Sequence, residues 1–134
     1  MKNIQAILTG ILGLGLCLTG CRTHTPENNN SNSSGVYKLV SINDHELPYS
    51  PPHAGGAPEV RAGEITLIED GSFTSAMNYG LPDGKETGRE FKGSYSRNGS
   101  DFHLKWEGAG TTTASLEGDT FTMNNEGVLF AYRK

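Results

Sequence analysis

Cysteine is scarce in this chain. Two occur in 134 residues, Cys17 and Cys21, and none in the 113 residues that follow Cys21. The folded part therefore has no disulfide to draw on, even in an oxidising compartment, and must be held by its apolar core alone. Basic runs are missing too. Lys and Arg number 11 against 15 Asp and Glu, and no stretch concentrates the positive charge that nucleic acid or anionic lipid would attract. No segment carries a convincing helical period. Gly-x-Ser-x-Gly, a phosphate-binding loop and His-Glu-x-x-His are all absent. With no free thiol either, no catalytic residue, cofactor or metal is assigned.

One long apolar run is present, at the start. Lys2 gives a small positive beginning. Ile4 to Leu18 then runs uncharged, interrupted only by Gln5, Thr9 and three glycines. At about 15 residues it is shorter than the roughly 20 a membrane-spanning helix needs, and it has the layout of an export signal. Its end, Leu18-Thr19-Gly20-Cys21, resembles the lipobox of bacterial lipoproteins. That resemblance implies cleavage between Gly20 and Cys21 and lipidation of the Cys21 thiol, the one side chain nucleophilic enough for a thioether. Several acyl chains exceed the two signals that stable anchoring takes. The expectation is an extracytoplasmic, lipid-anchored protein. It would sit on the outer membrane of a Gram-negative cell, or on the outer face of the plasma membrane of a Gram-positive one.

Three stretches follow: a signal over 1–20, lipidated Cys21 with a tether over 21–34, and one domain over 35–134. The tether from Arg22 to Ser34 has no large apolar residue and cannot offset the entropy of ordering. It spans roughly 20 Å as a coil and roughly 45 Å stretched. Cleavage removes a single charge, Lys2, and leaves 10 Lys and Arg against 15 Asp and Glu. The domain is long enough for one modest core and is expected to be monomeric.

The domain reads as all-β. Turn residues recur every 8–12 positions with apolar alternation between them. Strands are expected over 36–42, 64–69, 72–79, 87–96, 102–106, 111–116, 120–123 and 127–133. A long loop over 43–62 carries four prolines and Gly55-Gly56. Asp70-Gly71 and Asn98-Gly99 are strong hairpin turns. Leu67-Ile68-Glu69-Asp70-Gly71-Ser72-Phe73-Thr74 is echoed by Leu116-Glu117-Gly118-Asp119-Thr120-Phe121-Thr122, which points to two similar hairpins. An eight-stranded up-and-down antiparallel meander removes its exposed edges by closing into a small β-barrel.

Several segments make the domain resemble the small lipocalin-like barrels of bacterial lipoproteins. These are Gly35-Val36-Tyr37-Lys38-Leu39-Val40-Ser41-Ile42-Asn43 with Leu47-Pro48, Ile65-Thr66-Leu67, Gly71-Ser72-Phe73-Thr74, and the ending Phe130-Ala131-Tyr132-Arg133-Lys134. Lipocalins open with Gly-x-Trp, whose ring closes the barrel under an arginine from the last strand. The resemblance implies that Tyr37 takes the ring's place here, with Arg133 as its partner.

A barrel interior suggests a ligand site. The candidate cavity residues are Phe73, Met77, Arg89, Phe91, Tyr95, Phe102 and Trp106, with Arg89 placed to meet a ligand carboxylate at the mouth or to snorkel to water. Against a cavity stands the short strand length, because large rings in a short barrel fill it. The wider inward set adds Tyr37, Leu39, Leu67, Tyr79, Leu104, Leu116, Phe121, Phe130 and Tyr132. Asp44, His45, Glu46 and His53 are metal-capable types without a fixed ligand spacing. Glu86 and Glu90 share a strand face with Lys92 and read as solvated surface. Two functions compete. One is a non-catalytic binding module for an apolar small molecule or lipid. The other is a protein-interaction module, an envelope assembly factor or an inhibitor of an exported enzyme, acting through the barrel rim and the 43–62 loop.

Overall fold

The computed structural model describes residues 32–52 and 58–134. The signal, Cys21, most of the tether and His53 lie outside the described residues. Nine strands occur in the described part: β1 (Gly35–Ile42), β2 (His45–Glu46), β3 (Glu59–Leu67), β4 (Ser72–Gly80), β5 (Glu86–Asn98), β6 (Asp101–Trp106), β7 (Thr111–Glu117), β8 (Thr120–Asn125) and β9 (Val128–Arg133). Each of β3 to β8 pairs antiparallel with the next, and β1 pairs with both β3 and β9. The sheet thus closes on itself as an eight-stranded antiparallel barrel. The two-residue β2 is a spur on β1, outside the ring.

Alternation puts one side of each strand in the core. Phe73, Ser75 and Met77 of β4 point inward, as do Phe102 and Leu104 of β6, while their neighbours face solvent or are half-buried. Three features depart from the sequence reading. First, β3 begins at Glu59 rather than at 64. The register slips between Val60 and Ala62, so β3 carries one extra residue there and its period-two pattern is broken. Second, the 43–62 loop is largely built. Asn43 and Asp44 hold φ of 48° and 64°, a left-handed pair that turns β1 into β2. Tyr49 then bridges Val60 through backbone bonds of 3.0 and 2.8 Å. Third, β5 runs to Asn98, pairs with β4 over Glu86–Ser94, and pairs with β6 only over Gly93–Asn98.

The two ends of the barrel differ. At one end lie Gly35, the turn after Leu67 and the C-terminal Lys134. Here Tyr37, Phe121 and Phe102 form a ring plug, with centroids 5.7 Å apart for the first pair and 5.3 Å for the second. Tyr95 leans on Phe102 at 5.7 Å. The cation over Tyr37 is Lys134, with Nζ 5.6 Å from the ring centroid, so the expected Tyr37–Arg133 pair is corrected to Tyr37–Lys134. Parity explains the change. Tyr132 is wholly buried, so Arg133 must face out, and Lys134 folds back beneath the barrel. Its ammonium donates to the carbonyls of Asn32 at 3.0 Å and Ser34 at 2.7 Å. The opposite end, by the turns after Gly80, Trp106 and Asn125, has no comparable ring plug among the described residues; on its β1–β3 side Ile42 and Val60 are buried, with Leu47 and Tyr49 packed against the core.

Candidate binding cavity

Gly93 shapes the boundary between the filled half and the open half. It pairs with Phe73 on one side and Trp106 on the other. A Cβ at this position would meet the Phe73 ring at 2.6 Å and the Lys105 carbonyl oxygen. Its absence lets Phe73 and Trp106 pack edge to face, 4.8 Å between centroids. Phe91 in turn meets Trp106 edge-on at 6.1 Å.

Above this layer the interior opens into a cavity of about 370 Å³. That is toward the low end of the 300–1,000 Å³ typical of small-molecule sites. Its apolar wall includes Met77, Phe91, Trp106, Met123 and Phe130. One flank is open because the β5–β6 ladder stops where Glu107 N–H donates to the Lys92 carbonyl at 2.9 Å. Beyond that point β5 has only β4 beside it among the described residues, which leaves Phe91 39% exposed.

The deep part of the cavity is polar but uncharged. Ser75, Thr112 and Tyr132 line it and are 2%, 5% and 0% exposed. Ser75 and Tyr132 share a hydrogen bond, while burial pushes the Tyr132 hydroxyl far above its ordinary range. Trp106 Nε1–H donates to Thr112 Oγ1 at 2.7 Å. Tyr79, also in the wall, is raised by burial and partly lowered by the charge of Arg89.

The seven sequence candidates separate into four places. Met77, Phe91 and Trp106 line the cavity. Phe73 is buried against Trp106 outside the lining. Tyr95 and Phe102 belong to the closed end, where Tyr95 Oη–H donates to the Ile68 carbonyl at 2.7 Å and the Arg97 guanidinium lies 5.3 Å from the Phe102 centroid. Arg89, opposite Met77, is exposed and outside the cavity lining. Ser75, Thr112 and Met123 were not singled out as site residues, and no local motif marks them.

A larger concavity of about 680 Å³ crosses the outer surface between β1, β3, β4 and β5. It is lined mainly by outward-facing residues such as Lys38, Glu64, Asn78 and Glu90 and is a shallow groove. Glu86 does not stand free on this side. It accepts from Arg61 at 2.8 Å and from Asn78 at 3.2 Å, which lowers its pKa. In the β1–β2 region His45 stacks on Tyr49 with centroids 4.5 Å apart. No group of three metal-capable side chains occurs among the described residues.

No protein-family model matches the chain, and no curated protein matches it at a significant level. Three solved structures are similar to it. A lipocalin-like protein from Bacteroides uniformis is 22% identical, with 75% of this chain and 96% of that one covered and a TM-score of 0.45. An uncharacterized protein from Bacteroides eggerthii is 15% identical, with coverage of 75% and 98% and a TM-score of 0.44. The Cpx pathway activator NlpE from Escherichia coli is 16% identical over 57% of this chain, with a TM-score of 0.44, and the match spans only 40% of NlpE.

Proposed function

We propose that this chain is a non-catalytic, lipid-anchored extracytoplasmic module that binds an apolar or amphiphilic small molecule in the open half of its barrel. The observation that carries the reading is the cavity of about 370 Å³, walled by aromatic and methionine side chains and floored by hydroxyls. Convergent polar groups at the bottom of an apolar pocket are the usual form of a small-molecule site. The anchoring rests on the Leu18-Thr19-Gly20-Cys21 pattern. Opening through the side of the mouth, beside Phe91, gives a ligand a route in that needs no strand to separate.

The test is native mass spectrometry of the chain from Arg22 onward, exported by its own type of host and purified without detergent. All the strands that close the barrel lie within 35–134, so this piece retains the whole ring. A reproducible extra mass of a few hundred daltons, lost on denaturation, is expected and identifies the ligand. A bare polypeptide that takes up no lipid or apolar compound on titration contradicts the reading and turns the search to protein partners of the rim and the 43–62 loop.

A further inference from the structure

The charge pattern of the cavity narrows the ligand, provided the binding reading above holds. Three hydroxyl-bearing residues, Ser75, Thr112 and Tyr132, line the cavity and are nearly or wholly buried. Thr112 accepts from the Trp106 indole and so keeps its own hydroxyl proton to donate. A buried hydroxyl or carbonyl on a ligand would find both donors and acceptors here. A buried carboxylate would find no cation, and an ion removed from water without a partner is strongly disfavoured.

The reverse pose, with a carboxylate left at the mouth, is also opposed. Among the described residues, the charged side chains in the lining are Glu107 and Glu126, both acidic and both exposed. Arg89 is near enough to Tyr79 to act on its hydroxyl, but it is not part of the lining, whereas Glu107 and Glu126 are. Like charges placed against a ligand are a common means of rejecting it.

We propose that the cavity selects an uncharged amphiphile, an apolar frame bearing a hydroxyl or carbonyl, and discriminates against the carboxylate of the same frame. Decanol and decanoate form a matched pair that differs in this one respect. Trp106 is the single tryptophan of the chain and lies in the cavity wall, so its fluorescence reports occupancy directly. Titration at neutral pH of the chain from Arg22 onward is expected to show decanol binding at least about tenfold more tightly than decanoate. In the Glu107→Gln, Glu126→Gln double variant that ratio is expected to shrink, because the repulsion at the mouth is gone. Equal or tighter binding of decanoate by the unaltered chain overturns the selectivity and leaves the binding reading intact. No response of Trp106 to either compound, together with a bare mass in the native spectrum, overturns both.

Discussion

At the scale of single residues, the site depends on an absent side chain and on a buried phenol. Gly93 is where Phe73 and Trp106 come together, and a methyl group there collides with the Phe73 ring. Gly93→Ala is expected to destabilise the barrel by about 1–3 kcal/mol through overpacking. A thermal melt followed by circular dichroism checks this, and an unchanged midpoint contradicts the packing described. Tyr132 makes a pH prediction. Burial raises its pKa well above the ordinary 10.0. As pH rises past that value the unfolded chain loses the proton while the folded chain keeps it, so stability falls. Tyr132→Phe is expected to move the alkaline unfolding midpoint to higher pH. An unshifted midpoint would show that Tyr132 is not what limits stability there. Alternation in the sequence made Met77, Phe91 and Trp106 legible as inward residues. It also placed Ser75 on that face, but a serine between apolar neighbours carries no sign that it floors a cavity. The Lys134 clasp was illegible for a different reason: it depends on a side chain folding back after the last strand has ended.

At the scale of elements, two bulges explain why Ile42 and Val60 were missed as core residues. In β1 the partners on β9 move by one position while β1 advances two, from Leu39 to Ser41. Val40 is the extra residue, and Ile42 then points inward although it is out of step with Tyr37 and Leu39. In β3, Arg61 is the extra residue, and it brings Val60 into the core out of step with Ile65 and Leu67. Strict period-two reading fails at such sites because an added residue turns the following side chains to the other face. The Asn43-Asp44 turn lacked the usual glycine. It stands because Asn and Asp tolerate left-handed backbone, and because Asn43 Oδ1 accepts from Leu129 N–H at 2.9 Å. Asn43→Ala loses both supports and is expected to cost about 1–2 kcal/mol, measurable by urea denaturation; no loss would contradict that account of the turn. In β5, Tyr95 N–H donates toward β4's side, to Gly71, while the Lys92 carbonyl accepts from beyond β6. Odd-numbered amides of the half beyond Gly93 therefore face β4, and even-numbered ones face the open edge. Hydrogen exchange is expected to be slow at Arg89 and Phe91 and fast at Gly88 and Glu90. Uniform protection over these four would mean that the edge is covered.

At the scale of the whole molecule, the barrel is closed by a ring plug at one end and holds a cavity toward the other. The sequence argued for a filled interior on the ground that large rings crowd a short barrel, and that holds for the half where Tyr37, Phe102, Phe121 and Tyr132 meet. It does not hold where the β5–β6 ladder stops short, which is a matter of strand register that composition does not encode. The eight-stranded closure was legible because tight turns and alternating strands leave few ways to remove two edges. The echoed hairpins both lie at the packed end, and each buries a phenylalanine, Phe73 and Phe121. Ser33 and Ser34 also lie at that end, where the Ser33 carbonyl accepts from Tyr37 Oη–H at 2.7 Å.

The central claim is that the open half of the barrel receives a small molecule. The chain has three methionines. Met77 and Met123 line the cavity, and Met1 would be lost with the signal. Methyl-labelled methionine therefore gives two resonances in the chain from Arg22 onward, both in the cavity wall. On titration with decanol the account predicts that both methyl signals shift together and saturate. Signals that stay fixed while the compound is bound elsewhere, or not at all, would contradict it.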